Sequence, residues 1–96
     1  MNRTEHLLTT LAEECGEVAQ RCTKALRFSL SEIQPGQQFT NAERILHEYA
    51  DVAGILDILM KEKILKLPDD YMERVNAKKE RFEKYLKISE KQGTLT

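Results

Sequence analysis

From about Glu5 to Phe28 the apolar residues Leu7, Leu8, Leu11, Cys15, Val18, Cys22, Ala25 and Leu26 recur at steps of three and four. That spacing predicts one long amphipathic helix with Thr4 as its N-cap. Between Ser29 and Thr40 the pattern stops: Pro35-Gly36, three Gln and two Ser mark a connection with room for one short helical turn, and a segment able to cover a substrate. Thr40 or Asn41 caps a second helix reaching about Lys63, whose apolar residues, from Ile45 and Leu46 through Tyr49, Val52 and Ile55 to Met60, cover most of its circumference. A helix apolar on so many sides needs cover from several directions, and a subunit interface is the natural source. After Leu67-Pro68, Asp69 or Asp70 caps a third helix to about Ile88 with Met72, Val75, Phe82 and Leu86 as its stripe; residues 89–96 are polar and read as a frayed tail. No segment alternates as a strand does, so the expected fold is all-α: a bundle of three main helices, completed by oligomerisation.

At 96 residues the chain reads as a single domain, 1–96, with a core small enough that shared apolar surface between subunits would matter. Fifteen basic and 16 acidic residues leave a formal net charge of -1, so no overall field recruits nucleic acid or an anionic membrane. No apolar stretch approaches the roughly 20 residues needed to span a bilayer, and no basic start with an apolar run marks a leader; a cytoplasmic protein is expected. Cys15 and Cys22 are two turns apart on one helical face, about 10 Å along the axis and beyond disulfide reach, so both are expected as reduced, packed thiols.

The acids change the picture. On a helical wheel Glu14 falls at the edge of the first helix's apolar stripe, with Glu17 on the same flank; Glu48 falls inside the apolar sector of the second helix and Asp51 at its border. Packing the helices together would gather four carboxylates, which repel one another and take up protons unless a cation neutralises them. All-oxygen ligation suits Mg²⁺, or Mn²⁺ in its place, over Zn²⁺. In a chain that is 32% charged the same residues also read as a solvated flank, and periodicity leaves the two readings open. Glu13 lies outside the stripe but beside these acids. Gly16 sits mid-helix among them, where it costs roughly 1 kcal/mol relative to alanine, which close approach of a helix or substrate would explain.

The run Glu13-Glu14-Cys15-Gly16-Glu17-Val18-Ala19, followed after a linker by Glu48-Tyr49-Ala50-Asp51-Val52, resembles the EExxE and ExxD signature of MazG-like nucleotide pyrophosphohydrolases. The likeness covers about residues 5 to 85. Tyr49 departs from it, standing where such proteins often carry Leu or Ile. The resemblance implies an all-α fold related to dimeric dUTPases and assembly as a homodimer or homotetramer. It also implies Mg²⁺-dependent conversion of a nucleoside or deoxynucleoside triphosphate to monophosphate and pyrophosphate. Position by position, it assigns Glu14, Glu17, Glu48 and Asp51 as metal ligands and Glu13 as an extra acidic participant.

On that reading the metal grips the phosphates and activates a water, and Glu13 or Glu17 takes the water's proton. Further cations should face the triphosphate. On the third helix Lys79 falls in line with Met72, Val75, Phe82 and Leu86, and the expected phosphate contacts are Lys79, then Asn76 and Arg81; a snorkelling Lys79 that merely covers apolar surface is the competing reading. Lys24 and Arg27 are further candidates. Phe28 and Phe39, flanking the central connection, are the choices for a base-stacking role. Neither His6 nor His47 forms a nucleophilic or di-iron constellation, and no Gly-rich phosphate loop is present. Two alternatives stay open: a non-catalytic oligomeric helical interaction module, and a pyrophosphohydrolase of a phosphoribosyl-nucleotide intermediate.

Overall fold

The first helix begins where a side chain can satisfy its free amides: Asn2, in extended backbone, accepts the Glu5 N–H at 2.8 Å, two residues before the expected Thr4 cap. This helix, α1, runs Arg3–Phe28. A capping box opens the second, α2 at Asn41–Lys61: Thr40 Oγ1 accepts the Glu43 N–H at 3.1 Å, while Glu43 accepts the Thr40 N–H at 3.0 Å. At its far end Lys63 takes a positive φ of 61°, and the Ile64 N–H reaches back to the Leu59 carbonyl at 3.0 Å. The third helix, α3, spans Tyr71–Lys91. This computed structural model describes residues 1–96, and it confirms the all-α class: three helices and no strand. The chain divides into two compact units, Met1–Lys66 and Leu67–Thr96.

In the first unit α1 and α2 pack as an antiparallel pair. Arg3, at the start of α1, clamps Glu62, just past the end of α2, through three hydrogen bonds of 3.0, 3.2 and 2.7 Å. At the opposite end the Ala42 N–H donates to the Leu30 carbonyl. Enclosed or half-enclosed positions on α1 step by three and four through Leu7, Leu11, Glu14, Val18, Arg21 and Ala25; on α2 they run through Asn41, Ile45, Glu48, Val52, Ile55 and Leu59. This is the seven-residue seam of paired helices. Its distinctive property is that three of the twelve positions just named, Glu14, Arg21 and Glu48, carry charge.

The seam corrects part of the expected stripe. Cys15 and Cys22 are free, as expected, but exposed rather than packed, because charged residues take the enclosed positions beside them. The breadth of apolar surface on α2 is real: Leu46 and Tyr49 are 67% and 59% exposed, and on α1 Leu26 is 86% exposed. Gly16 has open space where a Cβ would stand, so no close approach within the chain accounts for it.

The connection between α1 and α2 contains no helical turn. Gln34-Pro35-Gly36-Gln37 forms a tight turn closed by a 3.0 Å bond from the Gln37 N–H to the Gln34 carbonyl, with Gly36 at φ 81°, the combination that proline then glycine favours. Asn41, 1% exposed, holds the segment down: its Nδ2 donates to the Ser29 carbonyl at 2.8 Å and to Glu32 Oε1 at 3.0 Å.

In the second unit Asp70 precedes α3 without capping it; its backbone is not extended, and its carboxylate pairs instead with Arg74 at 3.0 Å. The helix also continues three residues beyond the expected end at Ile88, into the segment 89–96 read as frayed. Gly93, at φ 77°, lets the Thr94 N–H bond the Ser89 carbonyl at 2.9 Å, a glycine-based stop that holds the last turn. Val75, Ala77, Leu86 and Ser89 are the half-enclosed positions of α3, whereas Met72 and Phe82 of the expected stripe are exposed.

Candidate metal centre

Antiparallel packing sets Glu14 and Glu17 of α1 opposite Glu48 and Asp51 of α2. One carboxylate oxygen from each of the four lies within 4.8 Å of the others. Glu14 and Glu48 are the half-enclosed members, and Glu17 and Asp51 stand at the exposed rim. Each pair is one helical turn apart, so two helices supply four oxygens at one level of the seam.

Electrostatics follow from that crowding. The Glu14 carboxyl is held above its ordinary range first by its partial enclosure, then by the negative charges of Glu17 and Asp51, by hydrogen bonding with Glu17 and by the charge of Glu13. Glu48 is raised by its enclosure first, then by hydrogen bonding with Glu17 and by the charges of Glu17, Asp51 and Glu14. Without a cation the cluster therefore retains protons to higher pH than separate carboxylates would. Glu14 Oε2 is enclosed and has no hydrogen-bond partner. An orphaned anionic oxygen beside three other carboxylates is a donor set that fits a hard divalent cation, with Glu14, Glu17, Glu48 and Asp51 as the holders.

The other expected site residues fall in different places. Glu13 is exposed on α1, next to the cluster in sequence and close enough to act on Glu14. Lys79, Asn76 and Arg81 are all exposed on α3, in the second unit rather than the one that holds the acids; Lys79 does not occupy an enclosed position there, because the half-enclosed row of α3 passes through Val75 and Ala77 instead. Arg81 borders a shallow hollow of about 320 Å³ with Asp70, Glu73, Arg74 and Ala77. Phe39 packs edge-on against His47, centroids 4.7 Å apart, and Phe28 lies beneath Lys24 and Arg27 at 5.8 and 5.1 Å. Both rings thus have partners within the first unit. An apolar hollow of about 590 Å³ opens between the end of α1 and the start of α2, bounded by Cys22, Ala25, Leu26, Leu30 and Ile45.

Two cations near the acids do not emerge from reading apolar letters alone. Arg21 and Arg44 occupy half-enclosed positions on α1 and α2. The signal that finds them is spacing: Glu14, Glu17 and Arg21 step by three then four, and Asp51, Glu48 and Arg44 repeat those steps in the opposite chain direction.

No family model matches the chain, and comparison with curated proteins and with solved structures returns no match either.

Proposed function

We propose that the protein is a Mg²⁺-dependent nucleoside triphosphate pyrophosphohydrolase, converting an NTP or dNTP to its monophosphate and pyrophosphate. The observation that carries the reading is the convergence of Glu14, Glu17, Glu48 and Asp51 from two helices within 4.8 Å. The order and wording of the two acidic motifs, resembling the MazG-like signature, supply the reaction. A bound Mg²⁺ neutralises phosphate charge and lowers the pKa of a coordinated water.

The protein's own groups do the rest. Glu14 and Glu48, anchored in the seam, fix the spacing of the site, and Glu17 and Asp51 reach it from the rim. Glu17, or Glu13 beside it, accepts the proton of the water that attacks the α-phosphorus. Lys79, Asn76 and Arg81 are the proposed phosphate contacts from α3, and Phe28 and Phe39 the proposed base contacts. The exposed apolar residues of α2 favour a homodimer or homotetramer as the working form, since monomers rarely leave large contiguous apolar surfaces in water. A cytoplasmic location accords with a nucleotide substrate, and no helix is long and apolar enough to cross a membrane.

The test is a screen of common and modified nucleoside triphosphates with Mg²⁺, reading pyrophosphate release and identifying products by chromatography. Monophosphate and pyrophosphate in equal amounts are expected. Release of orthophosphate instead, or no turnover by a folded protein that binds the metal, would overturn the assignment.

A further inference from the structure

Continuing one turn along the seam from the acids, toward the α1–α2 connection, the chain sets two arginines at matching positions. Arg21 follows Glu17 by four residues and Arg44 precedes Glu48 by four, so each shares a helical face with its acidic pair. The antiparallel register, fixed at one end by Arg3 with Glu62 and at the other by the bond from the Ala42 N–H to the Leu30 carbonyl, puts both at one level, about 6 Å along the axis from Glu17 and Glu48.

Neither arginine joins an ion pair: the three in the structure are Arg3–Glu62, Asp57–Lys61 and Asp70–Arg74. Arg44 spends one hydrogen bond, from Nη1 to Gln34 Oε1 at 2.8 Å. Arg21 Nη1 is enclosed and has no partner. A guanidinium can only donate, so an enclosed N–H of this kind calls for an oxygen acceptor from outside the chain. Two like charges held at one level of a helical seam call for an anion as well, and planar guanidinium forks match the oxygens of a phosphoryl group.

We propose that Arg21 and Arg44 form an oxyanion subsite that binds a phosphoryl group of a polyphosphate whose neighbouring oxygens meet the carboxylate-held metal. The proposal rests on the metal reading of the four acids for its second half, but its two cations come from the α1–α2 unit alone. An acid level followed by an arginine level explains how one seam holds both a cation and the anion bound to it. It also separates polyphosphates, which span both levels, from single phosphates, which do not.

The experiment is calorimetric titration of inorganic pyrophosphate, and in parallel orthophosphate, into the full-length protein with and without Mg²⁺, and of Mn²⁺ alone. Wild type is compared with Arg21→Gln, Arg44→Gln, Arg21→Lys and Gln34→Ala, with helicity checked by circular dichroism. Pyrophosphate affinity is expected to fall at least about tenfold in both glutamine variants, while Mn²⁺ affinity does not weaken. Arg21→Lys should recover only part of the loss, because it keeps the charge without the fork. Gln34→Ala cuts the Arg44 hydrogen bond but leaves the guanidinium, and should bind pyrophosphate as wild type does. Unchanged pyrophosphate affinity in Arg21→Gln and Arg44→Gln overturns the subsite. So does a matching loss of Mn²⁺ binding in those variants, which would make the arginines supports for the acids. If wild type binds no Mn²⁺ yet the glutamine variants still lose pyrophosphate, the arginine subsite stands and the metal reading falls.

Discussion

Glu14 and Glu48 are acids in positions that the packing of two helices normally gives to apolar residues, and their protonation carries a stability signature. Both have folded-state values raised above the ordinary carboxyl value of 4.5. A raised carboxyl means that the folded state binds protons where the unfolded state has released them, so stability falls as pH rises from about 4.5 through the raised values. Glu43 and Glu62, lowered by hydrogen bonds from Thr40 and from Arg3, act in a separate window, losing stability as pH drops below 4.5. The metal-free protein should therefore melt at progressively lower temperature as pH is raised from about 4.5 through the raised values of Glu14 and Glu48, and Glu48→Gln should flatten that decline. A scan of melting temperature against pH, repeated with Mg²⁺, reads it; a rising curve over the same interval in the metal-free protein would contradict the assignment of strain to these acids. Of the site residues, the four carboxylates were legible in the sequence because period and charge conflict at Glu14 and Glu48. Arg21 and Arg44 were not, because an arginine among surface-like charges looks ordinary until the two helices are aligned antiparallel. Lys79 is exposed rather than turned inward, because Met72 and Phe82, which share its face of α3, are exposed as well, so its place among apolar letters does not by itself decide its role.

At the scale of elements, the three helices follow from periodicity, while their ends follow from local chemistry that a wheel does not register. Thr40 and Glu43 close a capping box that the sequence allowed but did not single out from Asn41, and Asn41 proves to be the buried tether of the connection instead. The join after α1 is the strained point. Ser29 sits at φ 81°, ψ 156°, a region essentially reserved for glycine and costing about 1–3 kcal/mol for other residues. Its N–H still bonds the Ala25 carbonyl at 2.9 Å, and its carbonyl accepts from Asn41, so the surroundings hold it there. Ser29→Gly should stabilise the protein by about 1 kcal/mol, seen as a higher denaturant midpoint with an unchanged slope. A lower midpoint would show that the backbone relaxes differently at this join. The apolar stripe read from letters also placed Cys15 and Cys22 inside, and the seven-residue seam moved them to the flank, because the seam follows helix geometry even where its residues are charged.

For the whole molecule, the sparse enclosure is the governing fact: Leu7, Ala25 and Leu59 are the buried apolar side chains, Leu59 alone completely, while leucines, phenylalanines and tyrosines remain exposed across the three helices. The all-α class could be read from sequence, since strand alternation is absent throughout. How the exposed faces are covered could not, because an apolar stripe states a need for burial without naming the surface that meets it. The proposed function gathers these scales into one claim, that a seam shared by two helices holds a divalent cation on four carboxylates. Calorimetric titration of Mn²⁺ into wild type and Glu48→Gln tests it most directly, because glutamine keeps the shape of the side chain and removes its charge. Saturable binding by wild type and an affinity at least about tenfold weaker in Glu48→Gln, with helicity retained, are the expected results. Equal binding by the two proteins, or none by folded wild type, would contradict it.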